Sequence, residues 1–250
     1  MTNKNGVVGV SPTMSEKDIA SLIDSKLRER LNRIYNKVIE NNMDWFIAIT
    51  GPEGVGKSTL GADIFAYWYS ILLKQPNWEE KLTTNVIYDE DQLLRFLANI
   101  DVKKRGEALF LDEGANVLFY RDTATKRRKY IIKFFNVMRF LNYLVIVCAP
   151  NFSFIDKAVR EHRIKTWLVV ENRGVYRYYN KHQIDRAIRS GQYKYTIPYM
   201  EPLFVGTFKR NDIIDTHVME IKEDYINRFK TEVSKYLKKN NKQKQQEKED

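Results

Sequence analysis

The stretch GPEGVGKST, residues 51–59, decides the fold of this chain. It lies between a short apolar stretch, Trp45–Ile49, and a helical pattern that runs from Leu60 to Leu73. It fits the pattern G-x-x-x-x-G-K-[ST], in which a glycine-rich turn joins a strand to a helix. Glycines let the backbone approach an anion closely, and the first N–H groups of the helix point at that anion. The sequence therefore predicts a phosphate-binding loop between a strand and a helix.

The polar residues of this loop are the types that bind a nucleoside triphosphate. We expect Lys57 to neutralise the β- and γ-phosphates and the Ser58 hydroxyl to be a ligand of Mg²⁺, so that ATP and Mg²⁺ are the expected cofactors. Asn151, after a later strand, is a further candidate, although it could instead cap the helix that follows it. The predicted nucleotide contacts are Gly51, Pro52, Glu53, Gly54, Val55, Gly56, Lys57, Ser58, Thr59 and Asn151.

A second motif is the apolar stretch Ala108–Leu111, which is followed at once by Asp112 and Glu113. Mg²⁺ prefers oxygen ligands and keeps several waters, so one carboxylate opposite Ser58 would suffice to hold it. We expect Asp112 to be that metal ligand. Glu113 would point to the other side and orient or deprotonate the attacking water. Taken alone, acidic residues after a strand are common; together with the loop they predict a hydrolytic site.

Strand patterns alternate with helical patterns along most of the chain. This alternation predicts an α/β fold of three layers with a mostly parallel central sheet. We expect the strand Tyr143–Cys148 to insert between the strand before the loop and the strand before Asp112. The expected strands are 45–49, 83–88, 108–111, 143–148 and the hairpin 165–170 with 175–179.

The domain organisation that we predict has one core with appendages at both ends. Residues 1–14 are small and polar and are expected to be mobile, and 15–43 form a helix. The core is 44–180, the partly helical appendage is 181–239, and 240–250 is a polar, disordered tail.

Composition excludes several classes of protein. The one cysteine, Cys148, excludes a disulfide framework and a cysteine-based metal cluster. No apolar run is long enough for a membrane span, and no signal peptide is visible, so we expect a cytoplasmic protein. The net charge of +10 favours a polyanionic partner. Basic residues interleaved with aromatic ones suggest contacts to a DNA backbone and its bases, or simply a solvated surface; the basic residues are Arg121, Lys126, Arg127, Arg128 and Lys129.

Three arginines flank the predicted strand 143–148 and are candidates for completing a neighbouring subunit's site. Arg139 precedes that strand, whereas Arg160 and Arg163 follow it. An arginine that reaches an adjoining active site stabilises the charge of the transition state. We therefore predict a homo-oligomer, possibly hexameric, in which one of these residues is catalytic. The alternative for each is an ordinary surface charge.

Over residues 44–179 the chain resembles small additional-strand P-loop ATPases of archaeal viruses, plasmids and filamentous phages. The motifs that carry the resemblance are, in chain order, GPEGVGKST, LFLDEG, VMRF, LVIVCAPN and AVREHR. Among these ATPases the chain is similar to the zonula occludens toxin-like ATPase domain and to the DnaA-like ATPases of archaeal spindle-shaped viruses. The resemblance implies a RecA-like or AAA+-like fold and ATP hydrolysis coupled to DNA replication, packaging or remodelling. Two alternatives are a nucleotide-gated DNA-binding or loader protein and a small-molecule kinase; Glu113 argues against the kinase.

Overall fold

The computed structural model describes residues 14–75, 77–112, 135 and 138–246. Within them, seven strands form one sheet: β1 (Trp45–Thr50), β2 (Val86–Ile87), β3 (Ala108–Leu111), β4 (Leu144–Ala149), β5 (Ile164–Asn172), β6 (Val175–Asn180) and β7 (Phe204–Thr207). Their order across the sheet is β2-β3-β4-β1-β5-β6-β7. Neighbouring strands from β2 to β5 are parallel, whereas β6 and β7 are antiparallel additions at one edge. The mostly parallel sheet was predicted from the sequence and is confirmed.

Strand β4 lies between β1 and β3, as the sequence predicted. It pairs with β1 from Leu144 to Ala149 and with β3 from Leu144 to Val147. Because all three strands run in the same direction, their carboxyl ends share one edge of the sheet. That edge therefore carries both the glycine-rich loop, which follows β1, and Asp112, which follows β3.

Helices cover both faces of the sheet, which gives the predicted three layers. They are α1 (Glu16–Leu22), α2 (Ser25–Ile39), α3 (Lys57–Tyr67), α4 (Trp78–Asn85), α5 (Glu90–Ala98), α6 (Lys157–His162), α7 (Lys181–Arg189) and α8 (Asp212–Gln246). Along β1 the side chains alternate: Ile47 and Ile49 face one core, and Phe46 and Ala48 face the other. The first core includes α1–α4 and the start of α8, and the second includes α5–α7.

The N-terminal segment contains two helices rather than the one that was predicted. The Asp24 carboxylate caps α2 by accepting hydrogen bonds from the N–H groups of Lys26 and Leu27, and Ile23 before it has extended backbone. A capping carboxylate satisfies N–H groups that the helix itself leaves unpaired, so it starts a new helix at this point. Residues 1–13 of the predicted mobile N-terminus lie outside the described residues.

The predicted strand 83–88 is wrong over its first half. Residues 83–85 complete α4, and β2 contains only Val86 and Ile87. The Asn85 amide explains the difference, because it donates to the carbonyl oxygen of Ala108 at 3.0 Å and to the Tyr69 hydroxyl at 3.1 Å. These buried bonds attach the end of α4 to the sheet through a side chain instead of a strand ladder.

The segment 181–239, which was predicted to be an appendage, contributes to the sheet and to the hydrophobic core. Strand β7 adds to the sheet beside β6, and Ile214 and Val218 of α8 are buried in the first core. Helix α8 continues to Gln246, into the segment 240–250 that was predicted to be disordered. Among the described helices, none is both long and apolar enough to cross a membrane.

Candidate functional site

The glycine-rich loop connects β1 to α3 at the carboxyl edge of the sheet. A Cβ on Gly51 would lie 2.1 Å from the carbonyl oxygen of Val170, so no larger residue fits beside β5. Gly56 has φ 99° where α3 begins, a conformation that favours glycine. The loop therefore needs glycine at these two positions, and the N-terminus of α3 is left open to an anion.

Lys57 is the first residue of α3, and its ammonium folds back over the loop. Its Nζ donates a 2.6 Å hydrogen bond to the carbonyl oxygen of Pro52. Phosphate oxygens are charged acceptors and bind an ammonium more strongly than a neutral carbonyl does. The Lys57 side chain is therefore held across the loop in a position from which it can transfer to a bound phosphate.

Ser58 and Asp112 meet although they are far apart in the sequence. The Ser58 hydroxyl donates a 2.8 Å hydrogen bond to Oδ1 of Asp112. Asp112 is buried, with 1% of its surface exposed. A hydroxyl and a carboxylate at this distance are hard oxygen donors of the kind that Mg²⁺ prefers. The donor set fits an ion that takes only one or two protein ligands and completes its shell with phosphate and water.

A cleft of about 400 Å³ opens above these residues. Besides the loop and Asp112, its walls include Cys148 and Ala149 of β4 and Lys222 of α8. Lys222 is a second lysine beside the loop, and the sequence analysis did not identify it. No motif marks it, because its position depends on how α8 docks against α3.

The predicted role of Asn151 stays a prediction, and its contacts favour the alternative. Its Oδ1 accepts a 2.8 Å hydrogen bond from the N–H of Ser153, and its Nδ2 donates to the carbonyl oxygen of Lys194 at 3.1 Å. Asn151 is thus the cap of a short 3₁₀ turn, Phe152–Phe154. It does not line the cleft, whereas Ala149 and Pro150 do.

Two of the three candidate arginines are held by contacts within the chain. Arg160 is 5% exposed and donates to the carbonyl oxygens of Ser153 and Ile155. Arg163 forms a 3.0 Å ion pair with Asp44, which precedes β1, and also donates to the carbonyl oxygen of Phe135.

Arg163 lies at the edge of the sheet opposite the loop. Asp44, its partner, is at the amino end of β1, and the loop is at the carboxyl end. Arg139 is exposed and also precedes its strand, β4. The structure does not bring any of the three to the loop of its own chain.

Several predicted site residues lie outside the described part of the chain. They are the candidate base Glu113 and the basic residues Arg121, Lys126, Arg127, Arg128 and Lys129. Their roles stay predictions.

A side-chain hydrogen bond links α3 to α8 beside the loop, and no sequence motif marks it. The Thr59 hydroxyl donates to Oδ1 of Asp215 at 2.8 Å, and Arg210 Nε donates to the other oxygen at 2.7 Å. Asp63, one turn further along α3, is fully buried, with no hydrogen bond to either oxygen within the described residues. Burial, and then the charge of Asp215, raise the pKa of Asp63 well above its ordinary value.

Comparison with known proteins gives one family match. The model of the family described as Zonular occludens toxin (Zot) matches residues 73–204. This segment begins after the glycine-rich loop and includes β2–β6 with Asp112. No curated protein matches the chain.

Three solved structures resemble the chain at low sequence identity. One is the HORMA:CdnC:Trip13 complex of E. coli MS115-1, with a TM-score of 0.42, 13% identity and coverage of 61% of this chain. The match spans 65% of that protein's own length, just under two thirds. The N-terminal domain of zonular occludens toxin from Neisseria meningitidis has a TM-score of 0.43 and 12% identity, with coverage of 69% and 97% of the two chains.

The third is the genome packaging NTPase B204 of Sulfolobus turreted icosahedral virus 2, solved with AMPPCP. Its TM-score is 0.38 at 12% identity, and 57% of this chain and 95% of that chain are covered.

Proposed function

The chain belongs to the zonular occludens toxin (Zot) family, and we propose that it is a P-loop ATPase that binds MgATP at residues 51–58 and hydrolyses it. The match agrees with the resemblance drawn from the sequence motifs. The observation that carries the proposal is the 2.8 Å hydrogen bond between Ser58 and Asp112. It joins the loop motif to the acidic motif at one point, as hydrolysis of a metal-bound triphosphate requires.

Each side chain has a defined part in this proposal. The N–H groups at the start of α3 and the Lys57 ammonium bind the β- and γ-phosphates. Ser58 and Asp112 would hold Mg²⁺, which neutralises charge on the phosphates. Glu113 orients the attacking water and accepts its proton, and its place directly after Asp112 supports this assignment.

The experiment that tests the proposal compares nucleotide binding and turnover in matched variants. Lys57→Ala should lose most MgATP affinity or hydrolysis, whereas Lys103→Ala, an exposed lysine far along the chain, should not. Glu113→Gln should bind MgATP and hydrolyse it at least about 10²-fold more slowly, the usual size of a general-base contribution. Unchanged binding and hydrolysis in Lys57→Ala would refute the assignment.

We infer further that hydrolysis is coupled to DNA. The net charge of +10 and the basic residues between Arg121 and Lys129 support this step. Binding should depend steeply on salt, because neutralised phosphates release counterions. Changing Arg127, Arg128 and Lys129 to alanine should weaken binding and reduce the salt slope by up to about three.

An ATPase assay with and without DNA separates a motor from a nucleotide-gated binding protein. ATP hydrolysis that rises strongly with DNA favours the motor, and hydrolysis that is indifferent to bound DNA favours the gate. No measurable affinity for single- or double-stranded DNA at low salt would contradict both.

A further inference from the structure

A second pocket, of about 290 Å³, lies on the other side of the loop from Asp112. It shares Gly54, Gly56, Ser58, Thr59 and Lys222 with the first cleft, so the two spaces adjoin each other at the start of α3. Its remaining walls come from the β5–β6 turn, the residues after β7 and the first turns of α8.

The two spaces lie at opposite ends of the loop's phosphate site. The first contains Asp112 and Ala149, at the ends of β3 and β4. The second contains Arg173 and Gly174, in the turn between β5 and β6. Because Ser58 and Asp112 meet on the β3 side, the metal and the terminal phosphate belong there. A nucleotide bound in this direction would extend its other end into the second pocket.

The walls of the second pocket match the chemistry of a nucleoside. One part is apolar, with Val55, Val218 and the buried ring of Phe208, which is 6% exposed. Another part is polar, because Arg173 Nε donates to the carbonyl oxygen of Gly54 at 3.2 Å and Arg210 pairs with Asp215 at 2.7 Å. Ligand pockets are typically apolar with a few fixed polar groups and begin at about 300 Å³.

Helix α8 supplies one whole wall of this pocket. The residues that it contributes are Asp215, Val218, Met219 and Lys222. Their spacing of i, i+3, i+4 and i+7 places them on one face of the helix. The side chain of Met219 contributes to the wall although the residue is 55% exposed, so it can be changed without disturbing the core.

We propose that this second pocket binds the base and ribose of the nucleotide, with α8 as its outer wall. The proposal rests on the proposed function, since it takes the phosphates to lie at residues 51–58. It makes the C-terminal helix part of the nucleotide site.

The test measures the affinity of the full chain for ATP, ADP and inorganic tripolyphosphate, each with Mg²⁺, by calorimetry. In Met219→Trp the larger side chain should fill the pocket, lower ATP and ADP affinity at least tenfold and leave tripolyphosphate affinity unchanged. Ile226→Trp is the control: residue 226 is 39% exposed and lies two turns further along the same helix, outside the pocket lining. It should bind all three ligands as the wild type does.

The outcomes separate this inference from the proposed function. Unchanged ATP affinity in Met219→Trp, or tripolyphosphate binding as tight as ATP binding in the wild type, would overturn the nucleoside pocket and leave the phosphate site intact. A wild type that binds none of the ligands would refute the proposed function and, with it, the pocket. Should Met219→Trp lose all three ligands, Met219→Ala decides: a selective loss of ATP and ADP affinity supports the pocket, and wild-type affinities overturn it.

Discussion

Thr59 and Asp215 are joined by a 2.8 Å hydrogen bond that connects the first turn of α3 to the first turn of α8. Thr59 directly follows the phosphate-binding motif, so the C-terminal helix is attached to the loop by a side-chain contact. Arg210 holds the second oxygen of Asp215 at 2.7 Å. The start of α8 is therefore fixed relative to the site by one carboxylate with two partners.

Asp215→Ala should destabilise the protein by about 1.5–3 kcal/mol, the usual range for hydrogen bonds to charged groups. The variant loses both bonds at once and leaves the Thr59 hydroxyl without its acceptor. The measurement is urea denaturation. Asp212→Ala is the matched control, because this aspartate lies one turn earlier on α8 and its side chain is 96% exposed. Equal stabilities of the two variants would contradict the prediction.

Asp63 should make the stability of the protein depend on pH. Its raised pKa means that the folded protein keeps a proton that the unfolded chain releases near pH 3.9. The folded state therefore binds more protons over this range, and stability falls as pH rises from about 4 towards the folded-state pKa. An asparagine side chain cannot ionise in either state, so the Asp63→Asn variant escapes this loss.

The free energy of unfolding of Asp63→Asn, minus that of the wild type, should therefore increase between pH 4.5 and pH 8. Urea denaturation at several pH values measures it. A difference that stays constant with pH would mean that Asp63 keeps its ordinary pKa in the folded protein.

Gly61 allows α3 to pack closely on β3. A Cβ at this position would lie 2.6 and 2.7 Å from two atoms of the Phe110 ring. Alanine gains about 1 kcal/mol over glycine inside a helix, but overpacking a core costs about 1–3 kcal/mol. Gly61→Ala should therefore be destabilising in the wild type and neutral or stabilising when Phe110→Leu removes the ring. The same loss in both backgrounds, measured by denaturation, would show that the close contact is not the cause.

Features that a local sequence pattern marks could be predicted from the sequence, whereas features that depend on contacts between distant segments could not. The loop, Asp112 and the inserted strand β4 were predicted because each is marked locally, by glycine spacing or by an apolar run with a polar end. Their meeting at one edge follows from the parallel sheet. The short strand β2 was predicted too long because Thr83 and Thr84 have strand propensity, which the tertiary contacts of Asn85 override.

The contribution of α8 to the site could not be predicted from the sequence. The spacing alone predicts one shared helix face for Asp215, Val218, Met219 and Lys222. Which element this face contacts depends on the path of β7 and the turn after it. The pattern around Lys222 carries no catalytic motif, so nothing local distinguishes it from the other lysines of the helix.

Arg163 should prove structural rather than catalytic. Its guanidinium pairs with Asp44 at 3.0 Å, and the two side chains are 14% and 4% exposed. Removing one partner of a buried pair costs about 3–5 kcal/mol, and the second ion pair of Asp44, with Lys165 at 3.2 Å, should keep the loss near the lower value. Arg163→Ala should therefore lose about 3 kcal/mol of stability. Arg139→Ala, at an exposed position, should change stability by less than about 0.5 kcal/mol.

Mixing each variant with the wild type distinguishes these roles in an ATPase assay. An arginine that enters a neighbour's site poisons the mixture, so activity falls faster than the mutant fraction rises. We expect at most a linear fall for Arg163→Ala, because its guanidinium is bound to Asp44 within its own chain. A steeper fall for Arg139→Ala would identify the exposed arginine as the one that acts between subunits. Poisoning by folded Arg163→Ala, with its stability unchanged, would contradict the structural role.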